Sequence, residues 1–174
     1  MSRQTKRGAL VLISFIILAT SGTIPGAHAQ QVWSGRRHAF VKADNADWTL
    51  PENQDRITEA VWLTRKDTQG IFNIAQEDTY VPGSPADTEW ATGDAADWPN
   101  LEFTHWVGWV AGFPPGVVGV DAVLHLISED IYIDIRFESW TQANLGGGFS
   151  YVRGANPTPV EPSTWGSVKA LYRD

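Results

Sequence analysis

The run from residue 131 to 140 carries the side chains best suited to bind a ligand. Isoleucines alternate there with polar and aromatic residues, so an extended strand would have one apolar face and one face that can hydrogen-bond and stack. The residues on the second face are Tyr132, Asp134, Arg136, Glu138 and Trp140. Aromatic rings can stack on a sugar ring, while carboxylate and guanidinium groups hydrogen-bond its hydroxyls. The pattern therefore predicts a ligand-binding surface, with carbohydrate as the favoured ligand class.

The preceding strand supplies a sixth candidate, His125. A two-residue turn at 129–130 would form a hairpin with His125 opposite Asp134 and Asp121 opposite Glu138. In that register the apolar residues of both strands share one face. The alternative interpretation is a solvated sheet face held by cross-strand charge pairs.

A polysaccharide-active hydrolase or lyase is a second hypothesis. Glycoside hydrolysis needs two carboxyl groups about 5 to 9.5 Å apart, whereas Asp134 and Glu138 would be about 13 Å apart along one strand. Asp121 and Glu138, directly opposite each other, could come close enough. No Ser-His-Asp elbow, zinc-helix signature or dinucleotide fingerprint occurs. The sequence therefore identifies no catalytic residue and favours binding over catalysis.

Acidic residues accumulate between Lys66 and Arg136, where the chain has twelve Asp or Glu and no Lys or Arg. Such a stretch attracts cations, and loop carboxylates are oxygen ligands of the kind that calcium accepts. The candidate calcium ligands are Asp44, Asp47, Asp87, Glu89, Asp94 and Asp97. Because no complete calcium-loop pattern is present, solvated loop acids are the alternative, and no other cofactor is expected.

The elements that must position these residues are short strands. Hydrophobic periodicity is mostly two, between clusters of Gly, Pro, Asn and Asp. The predicted strands span 39–42, 60–65, 71–74, 101–106, 121–127, 131–140 and 148–153. Residues 75–100 are predicted to form a long loop with one short strand. We expect an all-β fold, an antiparallel β-sandwich of the jelly-roll kind, because such strands need both faces of a sheet covered.

The first residues of the chain predict export. Arg3, Lys6 and Arg7 precede an apolar run at 9–20, and Ala-His-Ala at 27–29 fits the small-x-small cleavage pattern. The run is about a dozen residues long, whereas a membrane crossing needs about 20. We therefore expect a cleaved signal peptide and no stable membrane insertion after cleavage.

The sequence thus divides into three predicted segments: a signal peptide at 1–29, a β-sandwich domain at 30–155, and a Pro-rich linker with a C-terminal tail at 156–174. An apolar stripe on a short helix of the tail would be formed by Trp165, Val168, Leu171 and Tyr172. That stripe could pack on the protein's own domain or on a sorting or envelope partner.

Composition excludes some partners. The 174 residues include 13 Lys+Arg, 20 Asp+Glu and no Cys. Nucleic acid is not an expected partner, because phosphates require clustered Lys or Arg. Without disulfides, an exported domain must be stabilised by its core. Nine Trp exceed what such a core needs, so some should be at least partly exposed.

Two stretches are also similar to known proteins. They are FVKADNADWTLPENQDRIT at 40–58 and HLISEDIYIDIRFESW at 125–140, the second followed by GGGFSY at 146–151. They resemble a group of small secreted bacterial β-rich domains of unassigned activity that carry varied C-terminal sorting tails. The resemblance implies a β-rich module that is extracellular, at the cell surface or periplasmic, and it transfers no catalytic residues.

Taken together, these features predict a secreted bacterial binding or cell-surface module, with an extracellular glycan as the expected ligand. The hydrolase or lyase is one alternative. The other is a structural or adhesive protein of the envelope or matrix that takes no small ligand.

Overall fold

The computed structural model describes residues 30–157, which form two β-sheets. The strands are β1 (Gln31–Trp33), β2 (His38–Lys42), β3 (Asp55–Arg56), β4 (Trp62–Arg65), β5 (Ile71–Asn73), β6 (Thr88–Thr92), β7 (Asp121–Leu126), β8 (Ile131–Trp140) and β9 (Phe149–Arg153). The helical segments are α1 (Trp106–Trp109) and short 3₁₀ helices at Pro51–Asn53, Ala95–Asn100 and Pro114–Val117. The predicted signal peptide at 1–29 and the tail stripe from Trp165 to Tyr172 lie outside the described residues.

The larger sheet has the strand order β2-β9-β8-β7-β6, with antiparallel neighbours throughout. In addition, β1 pairs in parallel with the first residues of β8. The smaller sheet is the antiparallel series β3-β4-β5. The chain is therefore predominantly β, as its period-two hydrophobicity predicts.

Strand β8 provides the centre of the hydrophobic core. Ile133, Ile135 and Phe137 are completely buried, as the alternating pattern predicts for one face of the strand. Leu63 from β4 and Ile71 from β5 belong to the same hydrophobic cluster, so the two sheets share one core. Burial of each such side chain contributes about 1.5–3 kcal/mol to folding.

The predicted register of the β7–β8 hairpin is wrong by two residues. Leu126 pairs with Ile131, so the turn has four residues, 127–130, and His125 lies opposite Tyr132. Asp130 closes the turn with a φ of 52°, a left-handed conformation that Asp tolerates better than most residues. Because side chains alternate with period two, a shift of two residues changes every pair of the hairpin but keeps the paired residues 121–126 and 131–136 on their predicted faces.

The predicted strand at 101–106 is also wrong. Only Thr104 forms a bridge, with Trp90 of β6, and α1 begins at Trp106. The helix starts here because the Nδ1 atom of His105 accepts the backbone N–H of Gly108 at 2.9 Å.

Two strands in the described residues were not predicted at all. They are β1 and β3, which have three and two residues and are too short to show alternation. The prediction of one short strand within 75–100 is confirmed, because β6 lies in this range.

Candidate functional site

The six residues selected from the sequence lie on two opposite faces of the larger sheet. His125, Tyr132 and Asp134 come together on the outer face of the larger sheet, where they are only 8%, 7% and 9% exposed. A second hydrophobic cluster covers this end of the face, because Trp98, Leu101 and neighbouring residues pack over Tyr132. These three side chains are therefore covered rather than presented to solvent.

Asp134 holds two loops against the sheet. Its Oδ2 atom accepts the backbone N–H of Gly35 at 2.8 Å, and its Oδ1 atom accepts the backbone N–H of Ala95 at 2.7 Å. Two charge-assisted bonds to backbone use both carboxylate oxygens and fix the start of the Ala95–Asn100 helix. The side chain thus performs a structural task in the described fold.

Tyr132 is the middle member of a group of stacked rings. Its ring centre lies 4.1 Å from that of His125 at an interplanar angle of 4°, and 4.3 Å from that of Trp98 at 27°. Burial and the nearby carboxylate of Asp130 raise the pKa of Tyr132 to about 12. His125 in turn contacts Glu89, with 2.8 Å between Nδ1 and Oε1. The stack packs the covering segment onto the sheet.

The remaining charged candidates on this face lie towards solvent. Arg136 is partly exposed and bonds through Nη1 to Oδ1 of Asp121 at 2.9 Å, and Arg36 donates to the same oxygen. Glu138 is exposed. This part of the face is a surface ion-pair group next to the covered region.

Trp140 points to the opposite face of the sheet. A β-bulge interrupts the β8–β9 pairing, so that Phe137 pairs with Tyr151 and Ser139 with Ser150, leaving Glu138 unpaired. An extra residue in one strand reverses the alternation beyond it. Trp140 consequently packs against the core, with its ring centre 5.6 Å from that of Trp106 and 6.0 Å from that of Phe137. It is separated from the Tyr132 stack by the sheet itself.

Trp140 instead lines a groove of about 580 Å³. Four segments form it: the end of β4 with the turn that follows, the loop between β5 and β6, the α1 region with its following loop, and the end of β8 with the residues just after it. The lining residues are Arg65, Thr68, Gln69, Gly70, Tyr80, Trp106, Val107, Val110, Gly112, Phe113, Pro114, Pro115, Trp140, Gln142 and Ala143. Such a volume, with mostly apolar and aromatic walls and a few polar groups, is typical of small-ligand sites.

Arg65 lies in this groove and is only 3% exposed. Its guanidinium carbon lies 4.1 Å from the ring centre of Trp140, a cation–π arrangement. Nη1 donates to the carbonyls of Thr141 at 2.7 Å and Gly148 at 3.2 Å, and Nε donates to the carbonyl of Gln69. Burial lowers the pKa of Arg65 to about 10, so the side chain stays charged at neutral pH.

Sequence reasoning selected Trp140 from this site and missed Arg65, Tyr80, Phe113 and Gln142. One signal was available for Arg65, which ends the mostly apolar run at 60–65. The Gly-Phe-Pro-Pro-Gly run at 112–116 was recognisable only as a turn. The remaining residues come from distant segments, so only the fold brings them together.

The described Trp residues are buried or half-buried, in agreement with the expectation of partial exposure for some of them. Trp33, Trp90 and Trp106 are buried. The half-buried ones are Trp48, Trp62, Trp98, Trp109 and Trp140, each with a ring or a cation over it. Among them, Trp140 lies in the wall of the aromatic groove next to Arg65.

Several candidate calcium ligands act as acceptors for backbone groups. Asp94 accepts the N–H of Ala96 at 2.8 Å and Asp87 that of Ser128 at 2.8 Å. A hydrogen bond from the Thr141 side chain lowers the pKa of Asp44, and one from the Thr49 side chain lowers that of Asp47. Within residues 30–157 no group of three or more His, Asp or Glu side chains is placed to hold a metal ion. Calcium binding stays a prediction.

Comparison of the chain with protein-family models, with curated proteins and with solved structures finds no match. Across residues 30–157, the helices are all too short or too polar to span a lipid bilayer.

Proposed function

We propose that the protein is an exported bacterial carbohydrate-binding module whose ligand site is the groove beside Trp140. The observation that carries this proposal is the combination of aromatic and amide side chains around one cavity of about 580 Å³. Tyr80, Trp140 and Phe113 offer ring surfaces, and Gln69 and Gln142 offer donors and acceptors. Sugars present both an apolar ring face and directional hydroxyls, so they match this mixture.

Phe113 is an exposed aromatic residue in the lining of the groove. It is 59% exposed, whereas Trp106 in the same lining is buried. Exposed aromatic residues at the rim of a pocket are common anchors for recognition. Gln69 and Gln142 also line the groove and are exposed, so their amides can hydrogen-bond a ligand there.

The hydrolase or lyase alternative gains no support from this groove. Among the described residues that line it, none is Asp, Glu or His, whereas glycoside hydrolysis requires a pair of carboxyl groups. The acids considered from the sequence lie elsewhere, and both oxygens of Asp134 accept backbone N–H groups. Binding without catalysis is therefore the function that the groove favours.

Export and the finer architecture belong to the same proposal. The signal-like residues 1–29 support secretion to the periplasm, cell surface or medium. Core residues shared by both sheets support a jelly-roll-like β-sandwich. The sequence resemblance to small secreted β-rich domains agrees with both.

A glycan array followed by polysaccharide pull-down tests the proposal. Phe113→Ala should weaken retention of the bound glycan roughly two- to tenfold, because one stacking surface is lost. Gln142→Ala should weaken it as well. Val41→Ala is the control, since Val41 is 67% exposed on β2 and does not line the groove.

Two results would contradict the proposal. Failure of the wild-type protein to bind any glycan would leave a structural or adhesive role. Equal retention of the wild type and both groove variants, with a loss in Arg136→Met, would move the site to the charged surface around Arg136.

A further inference from the structure

The groove beside Trp140 contains a single charged side chain, and its charge is positive. Of the described residues that line it, only Arg65 is ionised at neutral pH. The chain as a whole has more acidic than basic residues, and other cavities of the described fold include acids such as Glu59 and Glu129. A positive charge without acids is therefore a local property of this groove.

The hydrogen bonds of Arg65 leave part of its guanidinium available. Nε and Nη1 donate to three backbone carbonyls, those of Gln69, Thr141 and Gly148. Nη2 makes no hydrogen bond to any described residue. This nitrogen is not fully buried, so a ligand can reach it. No carboxylate within residues 30–157 lies within 4.0 Å of this guanidinium.

Arg153 is a second buried arginine of the described fold, and its guanidinium has a structural role. It is 5% exposed and pairs with Asp55 through two bonds, from Nε at 2.6 Å and from Nη2 at 2.7 Å. Burial by itself lowers the pKa of Arg153, but the bonds to Asp55 outweigh it and raise the pKa. Burial lowers the pKa of Arg65, whose charge lacks such a partner. A buried charge is stabilised most by an opposite charge in contact with it, and the nearby carboxylate of Asp44 only partly offsets the effect of burial on the pKa of Arg65.

We infer that the groove binds an anionic saccharide, whose carboxylate or sulfate group accepts a hydrogen bond from Nη2 of Arg65 while its ring lies against the aromatic wall. This inference rests on the proposed carbohydrate-binding function. It adds the chemical class of the sugar and assigns Arg65 as the residue that selects it.

Matched ligands test the inference without changing the protein. Oligogalacturonate and its fully methyl-esterified form differ in the charge of the carboxyl groups, and isothermal titration calorimetry at constant ionic strength compares their affinities. We expect the acid to bind at least tenfold more tightly than the ester. A sulfated neutral-backbone oligosaccharide, from carrageenan, distinguishes sulfate from carboxylate as the preferred group, and a cello-oligosaccharide represents neutral sugars.

Variants then assign the preference to Arg65. Arg65→Met should bind the acid and the ester with similar affinity. Arg56→Met is the matched control, because Arg56 also stacks on a Trp ring, 4.2 Å from the ring centre of Trp62, but lies outside the groove. Circular dichroism of both variants monitors folding. If Arg65→Met does not fold, the comparison of acid and ester on the wild-type protein still decides whether the groove prefers an anionic sugar.

The outcomes separate the two proposals. Equal wild-type affinity for charged and neutral sugars would overturn the anionic ligand and leave the carbohydrate-binding function standing. Preserved discrimination in a folded Arg65→Met protein would overturn the assignment to Arg65. Binding of none of these sugars, nor of any glycan on the array, would overturn both.

Discussion

The guanidinium of Arg65 lies 4.1 Å from the ring centre of Trp140. Arg65 ends β4 of the smaller sheet and Trp140 ends β8 of the larger sheet, so this contact joins the two sheets at the groove. Cation–π contacts of this kind contribute about 0.5–2 kcal/mol, depending on desolvation. The same contact also orients one wall of the proposed ligand site.

Loss of the carboxylate of Asp55 should destabilise the fold strongly. In Asp55→Asn the buried guanidinium of Arg153 loses its counter-charge, and we expect a decrease of about 3–5 kcal/mol in the free energy of unfolding. Tyr151 donates to the same carboxylate at 2.6 Å, so a second buried group is affected. Asp121→Asn is the control, because Asp121 is exposed and its ion pairs should contribute less than about 1 kcal/mol. Urea denaturation at pH 7 measures both, and equal losses would contradict a special role for the buried pair.

Removal of one acceptor from Asp134 should loosen the segment that covers Tyr132. Asn at this position keeps one carbonyl oxygen, so either the Gly35 or the Ala95 N–H loses its acceptor, at a cost of about 1–3 kcal/mol. Hydrogen exchange of these two amides should become faster in Asp134→Asn. Glu138→Gln, on the exposed part of the same strand, should stay within about 0.5 kcal/mol of the wild type. Unchanged exchange at both amides would show that Asp134 does not hold these loops.

Stability should fall at high pH because Tyr132 is buried as the neutral phenol. Its folded-state pKa of about 12 lies above the value of 10.0 for an unperturbed tyrosine, so the stabilisation is complete below pH 10 and is lost as the pH rises towards 12. Denaturation at pH 9 and at pH 11.5 should show a smaller decrease for Tyr132→Phe than for the wild type. If stability decreased equally in the wild type and in Tyr132→Phe, the loss at high pH would be due to other titratable groups.

The chain of residues 1–174 should be processed when it is expressed in a bacterium. Cleavage after Ala29 would give a mature protein that begins at Gln30, which intact mass and N-terminal sequencing can identify in the periplasm or the medium. Ala29→Leu should slow processing, because the cleavage site requires a small residue, whereas Gln31→Ala should not. Retention of the unprocessed chain in the cytoplasm would contradict export.

The apolar face of β8 could be predicted because alternation is visible in one sequence. Ile131, Ile133 and Ile135 recur at every second position and are buried as expected. The register of the β7–β8 hairpin could not be predicted, because it depends on the length of the turn. The turn has four residues rather than the predicted two, and its last residue, Asp130, adopts a left-handed conformation. A shift by two preserves faces, so the face was correct although each pair was not.

The groove beside Trp140 could not be predicted from the sequence, for two physical reasons. The bulge at Glu138 reverses the side of Trp140, and nothing in the local residue types marks an extra residue in the strand. Arg65 and Gln142 then meet only because β4 and the end of β8 pack together, which is a long-range contact. The covering segment was likewise mispredicted, since aromatic alternation at 101–106 resembles a strand while those residues pack over a sheet face.

The parallel pairing of β1 with β8 affects the order in which this protein can fold. Strand β1 precedes the other described strands, yet Gly35 just beyond it bonds to Asp134, 99 residues away, and Arg153 bonds to Asp55 across 98 residues. Contacts at such separation form slowly, because a long loop must close first. A nascent chain therefore cannot complete its larger sheet before nearly all of that sheet has been synthesised.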